Sequence, residues 1–185
     1  MNRILLFCVA VLAFSFGVSA FANAQVKIEA AKTLVVYFSA TGNTARSARL
    51  IADVTGAKLF EIVPEKVYTG ADLNWNDDQS RSSVEMNDPK ARPALSAKAD
   101  VTNCDVIFIG YPIWWNQAPR IINTFIESHD LKGKLLIPFA TSGGSSINNS
   151  VKQLEESYPD LNWHKGRMLN NVSRGTVEKW IKGLK

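Results

Sequence analysis

Three short runs in this chain carry groups suited to holding a flat, polar, anionic molecule. The first is Ser39-Ala40-Thr41-Gly42-Asn43-Thr44. The hydroxyls of Ser39, Thr41 and Thr44 surround a Gly-Asn pair at the point where a helical pattern begins. Free backbone N–H groups at a helix start, with hydroxyls around them, bind anions. The run has no Lys and no Walker spacing, and it lacks the three-glycine spacing of a dinucleotide turn. A neutral, hydroxyl-lined cradle suits a terminal phosphate monoester. The competing reading of the same residues is a plain helix N-cap.

The second run is Tyr111-Pro112-Ile113-Trp114-Trp115-Asn116. Tryptophan usually serves a core. Here Pro112 and Asn116 mark a loop, and adjacent side chains do not usually both point inward. A flat aromatic ligand stacked on one ring explains the pair. The third run is Thr141-Ser142-Gly143-Gly144-Ser145. Its glycines let backbone approach a ligand closely, and its hydroxyls and N–H groups can bond a polar ring edge. A simple strand-to-helix turn is the alternative.

The elements around these runs place all three together. Residues 32–39 (KTLVVYFS) form a β-branched and aromatic run that reads as a strand buried on both faces. Ala45, Ala48, Ile51 and Ala52 recur at helical spacing, closed by Gly56. Further strands are expected at 58–63, 104–110 and 134–140, the last containing Pro138, with a short one at 163–169. Helices are expected at 118–128, 146–157 and 173–184. Residues 64–99 are rich in Asp, Asn, Ser and Pro, with a short helix near 80–86. A segment of that length inside a compact domain reads as a functional loop or lid. Alternating strands and helices predict an α/β fold, a doubly wound five-stranded parallel sheet with helices on both faces. Right-handed crossovers then bring the loops after the first, third and fourth strands to one edge.

A phosphate cradle, an aromatic platform and a glycine-rich polar rim on one edge describe a site for flavin mononucleotide (FMN). Ser39 to Thr44 resembles the phosphate loop of the flavodoxin family (S/T-x-T-G-x-T). Tyr111 to Asn116, followed by Pro119-Arg120, resembles that family's first isoalloxazine loop, and Thr141 to Ser145 the second. The resemblance covers nearly all of residues 32–184. It implies that Ser39, Thr41, Gly42, Asn43 and Thr44 bind the 5′-phosphate. It implies that Pro112, Ile113, Trp114 and Trp115 flank the isoalloxazine, and that Thr141, Ser142, Gly143 and Gly144 edge the ring and ribityl chain. Which tryptophan stacks is left open.

Residues 1–24 read as a leader rather than as part of the fold. Arg3 precedes the apolar stretch from Ile4 to Val18, and Ala22-Asn23-Ala24 offers a peptidase site. This pattern predicts export to the periplasm or the outside, cleavage after Ala24 and a mature domain at 25–185. Cys104 is then the one remaining cysteine, at a strand edge, so no internal disulfide is expected. The full chain carries a net charge of +4 with its basic residues scattered, so neither a nucleic-acid stripe nor a polybasic membrane patch is expected. Flavodoxins that shuttle electrons are typically cytoplasmic and acidic, and this chain departs from that pattern. Arg46 and Arg49 lie near the expected phosphate, and Arg120 follows the tryptophan loop. Weaker acidity favours the extra negative charge of reduced flavin and hence a higher potential.

Only His129 and His164 are histidines, neither in a ligand loop, and no metal-ligand cluster is apparent. Chemistry is therefore expected from the cofactor. The leading expectation is electron transfer through FMN to a redox protein partner. The second is a quinone-type small-molecule reductase in which residues 64–99 form a lid and Tyr68, Trp75 and Arg81 face substrate or ring. The third is a binding module that keeps the fold without the chemistry.

Overall fold

The structure, a computed structural model, describes residues 25–185; the expected leader at 1–24 lies outside the described residues. The elements in chain order are β1 (Thr33–Tyr37), α1 (Asn43–Thr55), β2 (Lys58–Glu61), α2 (Arg81–Asn87), β3 (Val106–Pro112) and α3 (Arg120–Ser128). They continue with β4 (Leu135–Thr141), α4 (Ile147–Ser157), β5 (Asn162–Trp163), β6 (Arg167–Met168) and α5 (Arg174–Lys182). All strand pairs are parallel, and the order is β2-β1-β3-β4-β5, with β6 also on β4.

Strand alternation divides the core between two faces. Val36, Ile107, Ile109 and Leu136 pack with Ile121, Ile122 and Phe125 of α3 and with Val151 and Leu154 of α4. Val35, Tyr37, Phe108, Ile137 and Phe139 face Ala48 and Ile51 of α1 and Val177 of α5. A central strand such as TLVVY is buried along its whole length because helices cover both of its sides. This matches the expected doubly wound sheet.

The fifth strand position differs from the single short strand expected at 163–169. It is split into β5, beside Leu135 and Leu136, and β6, beside Phe139 and Ala140. The carbonyls of Leu136 and Ala140 accept the N–H groups of His164 and Leu169, both at 2.8 Å. Alternate residues of β4 therefore face the fifth strand, and Pro138 is one of them. Proline has no N–H to offer, so the ladder breaks opposite it. The intervening Gly166 is pressed against α4: a Cβ there would lie 2.7 Å from Val151 and 2.8 Å from Ile147.

Two loop boundaries also move. β3 continues through Tyr111 and Pro112, and β4 through Thr141, because Pro112 pairs with Thr141. Tyr111 is fully buried and its hydroxyl lies 3.1 Å from that of Ser150, so it belongs to the sheet rather than to the loop.

Residues 64–99 are tied to the body at several points. Pro64 bridges to Leu95, and Glu65 N–H donates to Ala94 O at 2.8 Å. Arg120 donates to the carbonyls of Glu85 (3.3 Å) and Met86 (2.9 Å) at the end of α2. At the far end, Ala99 N–H donates to His129 Nε2 at 3.0 Å. Since Nε2 accepts, the ring is neutral and its Nδ1–H donates to Phe125 O at 2.7 Å. Burial holds the His129 pKa below its ordinary value.

Candidate functional site

Helix α1 starts bare. Its N-cap is Gly42 at φ +83°, and no side chain caps it. Glycine takes this left-handed conformation without strain. Thr41, Gly42 and Asn43 are exposed, and Asn43 Nδ2 donates to Thr41 Oγ1 at 3.2 Å. Thr44 is buried, its hydroxyl 2.8 Å from that of Thr141, which joins the first loop to the third. The hydroxyls of this loop thus leave the first-turn N–H groups free, contrary to the plain N-cap reading. Ser39 sits apart from the others, half-buried in a small pocket of about 80 Å³ with Ile62, Val63 and Tyr68.

The tryptophan loop is a two-residue turn. Trp114 and Gln117 exchange N–H···O bonds of 3.0 and 2.8 Å. Trp115 (φ +45°) and Asn116 (φ +63°) lie between them. Two consecutive positive φ values are the signature of a type I′ turn, which favours Asn and Gly. A tryptophan held there is strained by roughly 1–3 kcal/mol. Asn149 Nδ2 donates to Asn116 O at 2.9 Å and helps hold the turn. The turn sends the adjacent rings in different directions. Trp114 is half-buried, edge-on to Phe38 (5.5 Å) and Tyr68 (5.4 Å). Trp115 is thrown outward, 41% exposed.

Tyr68, Trp75 and Arg81, grouped together in the sequence reading, separate here. Tyr68 is buried behind Trp114, donates its hydroxyl to Glu85, and lies under Arg81, whose guanidinium carbon is 4.0 Å from the ring centroid. Burial and then the Glu85 carboxylate push its phenol far above the usual range. Arg81 pairs with Glu85 at 2.6 Å. These two residues anchor the segment rather than face a ligand. Trp75 is 72% exposed and stands at the groove.

In the third loop, Ser142 Oγ accepts from Gly144 N–H (3.2 Å) and Ser145 N–H (2.8 Å). The Asn170 carboxamide clamps the same residue: Ser142 N–H donates to its Oδ1 at 2.9 Å, and its Nδ2 donates to Ser142 O at 2.7 Å. Gly143 and Gly144 remain exposed. Asn170 and Asn171 were missed as site residues. The available signal was an Asn pair at the carboxyl end of the fifth strand, on the edge already inferred.

The loops enclose two adjoining cavities that share Thr41, Pro112, Ile113 and Trp114. One, of about 330 Å³, is polar and adds Asn43, Arg46, Thr141, Ser142 and Asn171. The other, of about 380 Å³, is more apolar and adds Leu73, Trp75 and Trp115. Volumes of this size are ordinary for cofactor sites. A larger open concavity of about 620 Å³ lies away from the three loops, at Arg92, Glu127 and Tyr158. Two of its charges are paired with each other: Arg92 bonds both Glu127 oxygens at 2.8 Å, and Tyr158 donates to Glu127 at 2.7 Å. Among the described residues there is no group of three or more His, Cys, Asp or Glu able to hold a metal.

Fold and groove define a doubly wound α/β protein of strand order 2-1-3-4-5, with its groove at the switch between β1 and β3. Residues 32–184 match the flavodoxin family model, and the chain belongs to the flavodoxin family. It is similar to the crystal structure of a candidate flavoprotein from Bacteroides uniformis, at 60% identity and a TM-score of 0.80, covering 83% of this chain and 99% of that one. A candidate flavoprotein from Bacteroides eggerthii is 57% identical, with the same TM-score and coverage. A flavoprotein from Lactobacillus acidophilus, solved in complex with FMN, is 25% identical with a TM-score of 0.64, covering 82% of this chain and 99% of that one. No curated protein matches the chain.

Proposed function

We propose that this chain binds FMN non-covalently in the groove and transfers electrons between it and a partner outside the cytoplasm. The observation that carries this reading is the bare, hydroxyl-flanked start of α1 opening onto a cavity that is polar at one end and apolar at the other. A ribityl phosphate suits the polar end and a flat ring system the apolar end. Membership of the flavodoxin family and the FMN complex of the Lactobacillus relative support the same cofactor.

FMN, when bound, supplies one- and two-electron chemistry; the protein holds it and tunes it. The first-turn N–H groups of α1, with Thr41 and Asn43, receive the phosphate. Gly143 and Gly144 let backbone reach the ring edge. Pro112, Ile113, Trp114 and Trp115 form the wall against the ring and keep water from it. Thr44 and Thr141 act through each other, locking two loops at one spacing. The leader pattern at residues 1–24 supports a site of action in the periplasm or outside the cell.

A quinone-type reductase is the second reading. It is favoured by Trp75 and Trp115, two exposed tryptophans lining the apolar cavity where a flat acceptor can enter. The test is to purify the mature chain, confirm flavin, and compare NAD(P)H-dependent reduction of a quinone with reduction by a protein donor. Slow quinone turnover with fast protein-mediated exchange supports the carrier. The reverse supports the reductase.

A further inference from the structure

We propose that Arg46, held in place by Asn171, is the residue by which this chain distinguishes a phosphorylated flavin from its unphosphorylated parent. The proposal rests on the FMN reading above. It assigns a charged contact outside the loops that resemble the family's motifs.

Arg46 lies in the first turn of α1 and lines the polar cavity. One of its guanidinium nitrogens donates to Asn171 Oδ1. Asn171 has φ +46°, a left-handed conformation that Asn tolerates better than most residues. The loop that carries it is pinned from several sides. Leu169 N–H donates to Ala140 O at 2.8 Å, Ser47 Oγ donates to Leu169 O at 2.7 Å, and Asn170 clamps Ser142. Asn171 therefore acts as a fixed bracket that leaves the other guanidinium donors for the cavity.

The charge of Arg46 is also uncommitted. Arg81, Arg92 and Arg174 each pair with a glutamate. Arg46 forms no such pair among the described residues, and neither do Arg49, Arg120 and Arg167; of these four only Arg46 lines the polar cavity. Arg49, one turn further on, lies instead beside Tyr37 and affects its phenol. A phosphate monoester brings about 1.5–2 negative charges near neutral pH. The helix terminus offsets only about half a charge, and the cradle's hydroxyls are neutral. Arg46 supplies the remaining compensation. Riboflavin has the same ring and ribityl chain but no phosphate, and gains nothing from it.

The test is titration of apo-protein with FMN and with riboflavin, followed by flavin fluorescence, at low and high salt. Wild type is compared with Arg46→Gln, Arg46→Lys and Asn171→Gly. Arg46→Gln should weaken FMN about tenfold, as expected for a charged hydrogen bond. Riboflavin should change less than about twofold, since the lost contact is to phosphate. The salt dependence of FMN binding should flatten. Arg46→Lys should keep the salt dependence and recover part of the affinity, because the charge remains but the fork is lost. Asn171→Gly should weaken FMN about threefold with riboflavin unchanged, the smaller effect of losing a neutral bracket. An unchanged ratio of FMN to riboflavin affinity in Arg46→Gln, with wild type binding FMN, overturns this proposal alone. Wild type that binds neither flavin overturns the FMN reading and this proposal with it.

Discussion

Helices α4 and α5 each begin on a serine, and α1 does not. Ser146 accepts from Asn148 N–H at the start of α4, and Ser173 from Thr176 N–H at the start of α5. Ser80 does the same for α2 through Ser83 N–H. Helix α1 begins on Gly42, with hydroxyls on both sides and none used as a cap. Helix α3 also lacks a side-chain cap, but it starts at buried Pro119, which lines neither cavity of the groove. A glycine N-cap is weaker than a serine cap by only a few tenths of a kcal/mol, so α1 loses little by leaving its first-turn N–H groups to an external acceptor. At α1 the proposed phosphate would serve as the cap in place of a side chain. The adjacent tryptophans show the same division of labour: Trp114 packs inward on Phe38 and Tyr68, while Trp115 is held outward in a strained turn.

The contrast is broken most directly at Gly42. Gly42→Asp puts a carboxylate where the proposed phosphate would sit, at a positive φ that strains Asp less than most other residues. FMN affinity should fall by about 150-fold, roughly 3 kcal/mol, measured by titration of the apo-protein. Circular dichroism should show the helices intact; full FMN affinity in this variant would end the anion-cap account. Next in size is the effect of the ligand on stability. With FMN at 100 times its dissociation constant, the wild type should gain about 2.7 kcal/mol. In thermal melts this is a shift of roughly 5–10 °C for a domain of this size.

The tryptophan contrast comes third. Trp115→Ala should weaken FMN by about 2 kcal/mol, by analogy with base stacking on aromatic side chains, and leave the melting temperature nearly unchanged. Trp114→Ala should lower the melting temperature through its lost contacts with Phe38 and Tyr68, with a smaller loss of FMN affinity because it also lines both cavities. Reversed outcomes would exchange the two roles. Smallest are the capped helices. Ser146→Ala and Ser173→Ala should each cost about 1 kcal/mol in denaturant unfolding, with FMN affinity unchanged.

Much of the fold was legible in residue patterning. The runs around Val36, Ile107 and Ile137 could be strands only if covered on both faces, and they are. The convergence of the three loops followed from the alternation of strands and helices, since a parallel sheet puts every strand's carboxyl end on one edge. Other features needed tertiary information. The broken fifth strand depends on which side of β4 Pro138 faces, which no local pattern reveals. The separate fates of Trp114 and Trp115 depend on two positive φ values in a Trp-Asn turn, where propensity argues against the tryptophan. Ser39 looked equivalent to Thr41 and Thr44 in the motif, yet it lies in its own small pocket. Asn170 and Asn171 carry no motif in the sequence; only the sheet places them beside Ser142 and Arg46.

The central claim is that the groove at α1 holds FMN, and the absorbance spectrum of the purified mature protein tests it most directly. The purified protein should be yellow, with bands at about 370 and 450 nm, the cofactor's own absorption. The compound released on denaturation should be FMN, and apo-protein should take it up again in equimolar amount. A colourless protein that fails to bind added FMN would contradict the account.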